Sequence, residues 1–158
     1  MKRVNDAVAR VLRALLTLLM GLLVVPVVLQ IASRFVAALP HLIWTEEVAR
    51  FCFIWTVMIG AMLAVRDEAH FELDLFAKPA SPRGLALSRL FVHGAMAVMA
   101  GIFVWFGVAF ARFGFAQRSE LTGLNMLAVH IAWPLAGLVF ILFLAEKIAA
   151  DLELLRSD

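Results

Sequence analysis

The sequence has 158 residues, 64% of them hydrophobic and 16% charged, and its mean hydropathy is +0.96. Soluble domains contain about 45–50% apolar residues, so this composition excludes an ordinary soluble domain and indicates a membrane protein. The net charge is only +2 and the chain has a single cysteine, Cys52, so neither nucleic-acid binding nor an internal disulfide nor a multi-cysteine metal cluster is predicted.

Four apolar segments divide the chain, at residues 14–32, 48–65, 90–111 and 126–145. Each has a length near the roughly 17–25 residues with which an α-helix crosses a bilayer. The connections between them are too short for a second domain. The sequence therefore predicts an all-α, integral membrane four-helix protein, with residues 1–158 forming a single membrane domain.

The first segment resembles a secretory signal peptide, because a basic stretch precedes it and Val36-Ala37-Ala38 follows it. The apolar run from Ala14 to Ala32 is longer than the apolar region of a typical signal peptide. Further apolar segments also follow. We therefore predict a first helix that is retained in the mature protein.

The second segment begins with residues 44–50, the most highly charged stretch directly beside an apolar run. Thr45 is a candidate N-cap, and Glu46 and Glu47 lie where carboxylates meet the positive end of the helix dipole. Arg50 follows four and three residues later, so we expect the three charged side chains to share one helical face. One carboxylate would satisfy the dipole, so the pattern favours a surface for a specific partner. A capped helix start without a partner is the alternative.

The second segment ends in another charged cluster, formed by Arg66, Asp67, Glu68 and His70. The loop that follows mixes apolar and acidic residues at positions 70–76. A short amphipathic turn at the membrane surface and a solvated connector both remain open, because seven residues are too few to define a period.

Small residues recur at helical spacing in two segments. Gly94, Ala97 and Gly101 form one stripe on the third segment, and Gly60 with Ala64 forms a shorter one on the second. Small residues are the usual material of helix contacts in membranes, so we predict close helix packing at both stripes.

The basic residues are distributed unevenly between the two sides of the membrane. Ten lie in the two tails and the middle loop with its flanks, and four lie on the opposite side. The positive-inside rule therefore predicts that both termini and the middle loop are cytoplasmic. The ten are Lys2, Arg3, Arg10, Arg13, Arg66, Lys78, Arg83, Arg89, Lys147 and Arg156, and the four are Arg34, Arg50, Arg112 and Arg118.

All twelve acidic residues fall in loops, in tails or in the last turn of an apolar segment. Charged groups within a membrane usually mark ion or proton pathways, and interrupted half-helices in matching positions mark substrate sites. This sequence has neither feature. We therefore predict that the chain does not carry a solute by itself, and an independent small carrier or channel is the alternative.

His93 and His130 are the titratable residues well inside the apolar segments, which raises the possibility of a haem site. In the predicted topology their heights differ by roughly 15 Å, too far for two axial ligands of one haem. We therefore interpret them as histidines satisfied near the membrane surfaces. No nucleophile, base and orienting group occur together, so we predict no enzyme activity, no cofactor and no metal.

Several residues in chain order resemble those of the small membrane subunit, or Q subunit, of tripartite ATP-independent periplasmic (TRAP) transporters. The resemblance covers nearly the whole chain. The family usually has a glycine after the basic residue that ends the second helix, whereas Asp67-Glu68-Ala69 stands here. The matching residues are Arg34-Phe35, Trp44-Thr45-Glu46-Glu47-x-x-Arg50, Trp55, Gly60, Arg66 to His70 with Asp74, and Leu121-Thr122 leading to Pro134-Leu135-Ala136-Gly137.

The resemblance implies a multi-pass protein of the bacterial inner membrane that scaffolds a large multi-span TRAP subunit. That subunit would carry the substrate and sodium sites and move as an elevator. A periplasmic substrate-binding protein would deliver a small organic anion of the carboxylate or sulfonate class. Membrane lipids are expected partners, and nucleic acid is not. The candidate partner-interface residues are Arg34, Trp44, Glu46, Glu47, Arg50 and Trp55.

Overall fold

The computed structural model describes residues 2–35, 43–67 and 82–157. Apart from the turn at residues 116–126 and a break at Ile131, these ranges are helical, with no strand other than an isolated bridge between Arg118 and Asn125. Four helical stretches are long and apolar enough to cross a membrane, which confirms the predicted all-α four-helix membrane fold. The helices are α1 (Lys2–Phe35), α2 (Ile43–Asp67), α3 (Pro82–Phe115), α4 (Leu127–His130) and α5 (Ala132–Ser157).

The helices run beyond the predicted spans. α1 and α3 each contain 34 residues, which corresponds to about 51 Å at 1.5 Å per residue. The hydrocarbon core of a bilayer is only about 30 Å thick. Most of the excess precedes the predicted spans, at residues 2–13 of α1 and 82–89 of α3. The predicted turn or connector at 70–76, with Glu68 and His70, lies outside the described residues.

The helices pack in the order α1, α2, α5, α3. α1 packs mainly against α2, α2 also packs against α5, and α5 has its most extensive contact with α3. In the described part of the chain α3 does not contact α1 or α2. Half of the apolar stretch of α5 is buried inside the chain, but only 6% of that of α1. α5 is therefore the central helix, and α1 presents most of its apolar surface outwards.

The buried core is formed mainly by α2 and α5. Ile59 and Met62 of α2 and Phe143 and Leu144 of α5 are almost completely inaccessible. Ala100 of α3, also fully buried, completes the contact between α3 and α5. Lipid tails are as apolar as these side chains, so packing rather than exclusion from water holds the helices together.

Two glycines allow α3 and α5 to approach closely. A Cβ atom at Gly107 would lie 2.7 Å from the nitrogen of Pro134, and one at Gly137 would lie 2.8 Å from the carbonyl oxygen of Ala100. Both contacts are with backbone or ring atoms that cannot move aside. Pro134 has no N–H to donate to the previous turn, and the helix is interrupted three residues earlier, at Ile131.

The predicted small-residue stripes are not where the helices meet closely. A Cβ atom at Gly60, Gly94 or Gly101 would have no neighbour within 4 Å. Of the α3 stripe, Ala97 packs against the buried core. Among the described residues no helix therefore packs closely against these three glycines, because spacing along one helix does not tell which face its neighbour covers.

Candidate functional site

Polar side chains gather at the two ends of the molecule. The Glu47 end contains the start of α2, the end of α3 and the turn at residues 116–126. The Arg66 end contains the start of α1 and the ends of α2 and α5. The predicted partner surface lies at the Glu47 end.

Glu46 and Glu47 differ in their exposure. Glu46 accepts a hydrogen bond from Arg50 at 3.4 Å, and both side chains are largely exposed, at 70% and 64%. Glu47 is only 8% exposed and lies against the hydroxyl groups of Ser119 and Thr122. The expected i,i+4 pair is present, whereas Glu47 is buried rather than exposed beside it. Successive residues of a helix point about 100° apart, and the inward direction falls on Glu47.

Thr45 is not at the helix cap that the sequence suggested. α2 begins two residues earlier, at Ile43. Thr45 therefore lies in the first turn, where it is completely buried. The inward face of this first turn thus consists of Thr45 and Glu47.

Ser119 organises the turn that Glu47 contacts. Its hydroxyl oxygen accepts hydrogen bonds from the backbone N–H groups of Leu121 at 3.3 Å and Thr122 at 3.2 Å, and from the Thr122 hydroxyl at 3.1 Å. Its own proton remains for the carboxylate of Glu47. Gly123 has φ +70°, a left-handed conformation that glycine adopts without strain. Glu47 therefore ties the start of α2 to the turn between α3 and α4, although its Oε2 atom has no hydrogen-bond partner in the described ranges.

The other predicted interface residues divide in the same way. Trp55 donates its indole N–H to the carbonyl oxygen of Ala128 at 2.9 Å, so it links α2 to α4. Arg34 is exposed and Trp44 is 46% exposed. Arg34, Trp44, Glu46 and Arg50 are thus available to a partner, whereas Glu47 and Trp55 are engaged within the chain.

Asn125 is a polar residue of this end that sequence reasoning missed. Its side-chain nitrogen donates to the carbonyl oxygen of Phe115 at 3.1 Å, and its oxygen accepts from the N–H of Leu127 at 2.8 Å. It therefore joins the end of α3 to the start of α4. An Asn two residues before a helix is a recognisable signal for such a bond.

The two membrane histidines have different surroundings. The Nδ1 atom of His93 lies 2.7 Å from a carboxylate oxygen of Asp151, and both side chains are buried. His130 stacks on Phe110 with ring centroids 3.9 Å apart, and Gly114 makes room for its ring. His93 is satisfied as expected, but the Nδ1 atom of His130 has no hydrogen-bond partner within the described residues.

Arg66 joins three helices at the opposite end. Its guanidinium bonds Asp6 of α1 at 2.5 Å and Glu146 of α5 at 3.3 Å, and it lies 5.7 Å from the ring centroid of Phe143. Asn5, which is fully buried, donates to the same Glu146 carboxylate. The sequence placed Arg66 in a charged cluster with its neighbours but did not reveal these partners, which are 60 and 80 residues away.

The described residues contain no group of three His, Cys, Asp or Glu side chains that could hold a metal ion. The polar residues at both ends instead bond one helix to the next. The chemistry of these sites is that of fixed ion pairs and hydrogen bonds between elements.

Comparison with known proteins identifies similar sequences. A family model described as tripartite ATP-independent periplasmic transporters, DctQ component, matches residues 23–154. The sialic acid TRAP transporter small permease protein SiaQ of Vibrio cholerae is 25% identical over 142 residues, which cover 87% of this chain and 79% of that protein. A candidate TRAP transporter small permease protein of Haemophilus influenzae is 23% identical over 109 residues, covering 68% of this chain and 66% of the relative.

A longer relative matches part of the chain. The sialic acid TRAP transporter permease protein SiaT of Haemophilus influenzae is 33% identical over 79 residues. These residues cover 50% of this chain but only 13% of that protein. A segment similar to half of this chain therefore occurs within a much larger permease.

Proposed function

Because this chain belongs to the DctQ component family of tripartite ATP-independent periplasmic transporters, we propose that it is the fixed scaffold for a larger permease subunit that carries the solute. It is a small permease subunit and a multi-pass protein of the inner membrane. The larger subunit would move as an elevator against it. A sodium gradient would drive uptake, and the chain itself would have no enzyme activity.

The observation that supports this proposal is that the buried carboxylates are held by partners within the chain. Glu146 is paired with Arg66, Asp151 with His93, and Glu47 contacts the hydroxyls of the 116–126 turn. A coupled carrier needs a charged or polar site that can bind and release its ion. Carboxylates held by neighbouring helices and turns instead favour a structural role.

The surface proposed for the larger permease is the exposed part of the Glu47 end, formed by Arg34, Trp44, Glu46 and Arg50. An ion pair as exposed as Glu46–Arg50 contributes only about 0–1 kcal/mol to folding. Charged groups are depleted from the cores of interfaces but can fix the register of a partner at the rim. Glu47 and Trp55 would support this surface from behind, by holding the 116–126 turn and α4 against α2.

The solute proposed is a small organic anion of the carboxylate or sulfonate class, delivered by a periplasmic binding protein. The names of two relatives support a carboxylate, since both refer to sialic acid. The match to SiaT supports close association with a larger permease, because one long chain includes a similar segment.

Uptake by reconstituted liposomes tests the proposal. Liposomes with both membrane subunits, given binding protein and a sodium gradient, should accumulate solute. Liposomes with this chain alone should not. Solute uptake or ion current from this chain alone would support the alternative, an independent small carrier or channel.

A further inference from the structure

An apolar groove of about 610 Å³ lies along α3 and is closed on one side by the start of α5. Its walls come from α3 between Ile102 and Phe113 and from Trp133 of α5. Phe106 and Phe110 contribute aromatic rings, and Phe106 is 66% exposed. The groove therefore opens towards the surroundings of the protein, which at this height are the membrane.

The dimensions of the groove match a single hydrocarbon chain. Ile102 and Phe113 are 11 residues apart, which corresponds to about 16 Å along an α-helix. This distance is about half of the 30 Å hydrocarbon core. α3 ends at Phe115, so the groove extends from one membrane surface to near the middle of the bilayer.

The part of the groove nearer the membrane surface carries an unpaired donor. Trp133 packs edge-on against Phe110 with centroids 5.5 Å apart, and its indole N–H makes no hydrogen bond to any described residue. An indole N–H in a largely apolar site normally finds an acceptor. This donor suits an occupant that has a hydrogen-bond acceptor near the membrane surface.

We propose that this groove binds one acyl chain of a phospholipid, whose phosphate or ester oxygens accept a hydrogen bond from the indole N–H of Trp133. A phospholipid supplies both a chain of the right length and an anionic group at its end. A neighbouring transmembrane helix satisfies its own backbone groups and offers no backbone acceptor to the indole at this depth.

Phospholipid retention by the purified transporter tests the proposal. The complex is extracted in mild detergent, washed, and its bound phospholipid is measured per copy of this chain. Ala109→Trp fills the groove, and Val108→Trp places the same bulk at the same depth on another face of α3. We expect Ala109→Trp to weaken retention about tenfold, as overpacking a site does. Val108→Trp should retain phospholipid like the wild type.

The headgroup contact is tested separately by adding phosphatidylglycerol or diacylglycerol to the delipidated complex. The wild type should prefer phosphatidylglycerol, and Trp133→Phe should weaken its binding about tenfold, as expected for losing a hydrogen bond to a charged group. Trp105→Phe, at a ring that is 78% exposed elsewhere on α3, is the control. Equal retention by Ala109→Trp and Val108→Trp overturns the proposal. A second result would also overturn it. A photoreactive group placed at position 106 would then cross-link to the larger permease instead of to phospholipid.

Discussion

At the scale of single residues, Glu46 and Glu47 show that two adjacent positions in one helical turn can have different roles. The two have the same chemistry and adjacent positions. Glu46 remains exposed beside Arg50, whereas Glu47 is buried against the Ser119 turn. The outward carboxylate is therefore suited to a partner, and the inward one to holding the turn in place.

Replacing these two residues by glutamine should have different consequences. Glu47→Gln removes the charge that faces the hydroxyl groups of Ser119 and Thr122, so backbone amides 119–124 should exchange with solvent faster. Glu46→Gln should leave their exchange unchanged, because it loses only an exposed pair worth about 0–1 kcal/mol. Hydrogen exchange measured by mass spectrometry checks this. Identical exchange in both variants would contradict the role assigned to Glu47.

At the scale of elements, α1 depends on its polar end. Its apolar stretch packs mainly against α2 and touches α5 only slightly. The bonds of Asn5 and Asp6 to Glu146 and Arg66 add a connection to both neighbours. These contacts position a helix whose membrane-embedded surface is otherwise mostly uncovered.

Arg66→Ala should destabilise the protein by about 1–3 kcal/mol, because the poorly exposed Glu146 would lose a charged partner. Arg13→Ala is the matched control: it breaks the pair with Asp67 at 2.8 Å, but both side chains are about half exposed. That loss should cost about 0–1 kcal/mol. Unfolding in detergent, followed by circular dichroism, compares the variants. Equal losses would show that Arg66 does not hold the three helices together.

The contact between α3 and α5 should be sensitive to a single methyl group. Gly107→Ala forces a Cβ against the Pro134 ring and should cost about 1–3 kcal/mol. Gly101→Ala, with open space around its Cβ, should stabilise α3 by about 0.5–1 kcal/mol. The same unfolding measurement distinguishes them. If Gly107→Ala leaves the free energy of unfolding unchanged, α5 can shift away from α3.

At the scale of the whole molecule, orientation remains a prediction. The ten-to-four distribution of basic residues predicts that both termini are cytoplasmic. Alkaline phosphatase, which is active only in the periplasm, should be inactive when fused after Asp158 and active when fused near Leu121. The reverse pattern would place the Glu47 end in the cytoplasm.

Assembly with the larger permease should depend on the exposed residues of the Glu47 end. If the partner buries Glu46, Glu46→Lys should lose about 3–5 kcal/mol of association, or at least about a hundredfold in affinity. Glu153→Lys, which changes an exposed carboxylate near the other end, should have little effect. Co-purification with the tagged larger subunit measures both. If Glu46→Lys co-purifies like the wild type, Glu46 does not contact the larger subunit and interacts only with the dipole of its own helix.

The sequence by itself determined the membrane fold and the local ion pair. A helix surrounded by lipid needs about 20 apolar residues whatever its neighbours are, so hydropathy alone located the four crossings. The pair between Glu46 and Arg50 depends only on helical spacing. Family motifs were likewise readable without coordinates, because they are patterns along the chain.

Only the tertiary structure decided which residues meet between helices. Asn5 and Glu146 are 141 residues apart, and no periodicity links them. Pro134 packs against Gly107, whereas Gly101 has no close neighbour in the described chain. Glu47 rather than Glu46 is buried. Both results depend on the rotation of each helix about its axis, which is set by packing against other helices. In lipid, every face of a helix can be apolar, so hydrophobic pattern does not reveal which face is buried in protein.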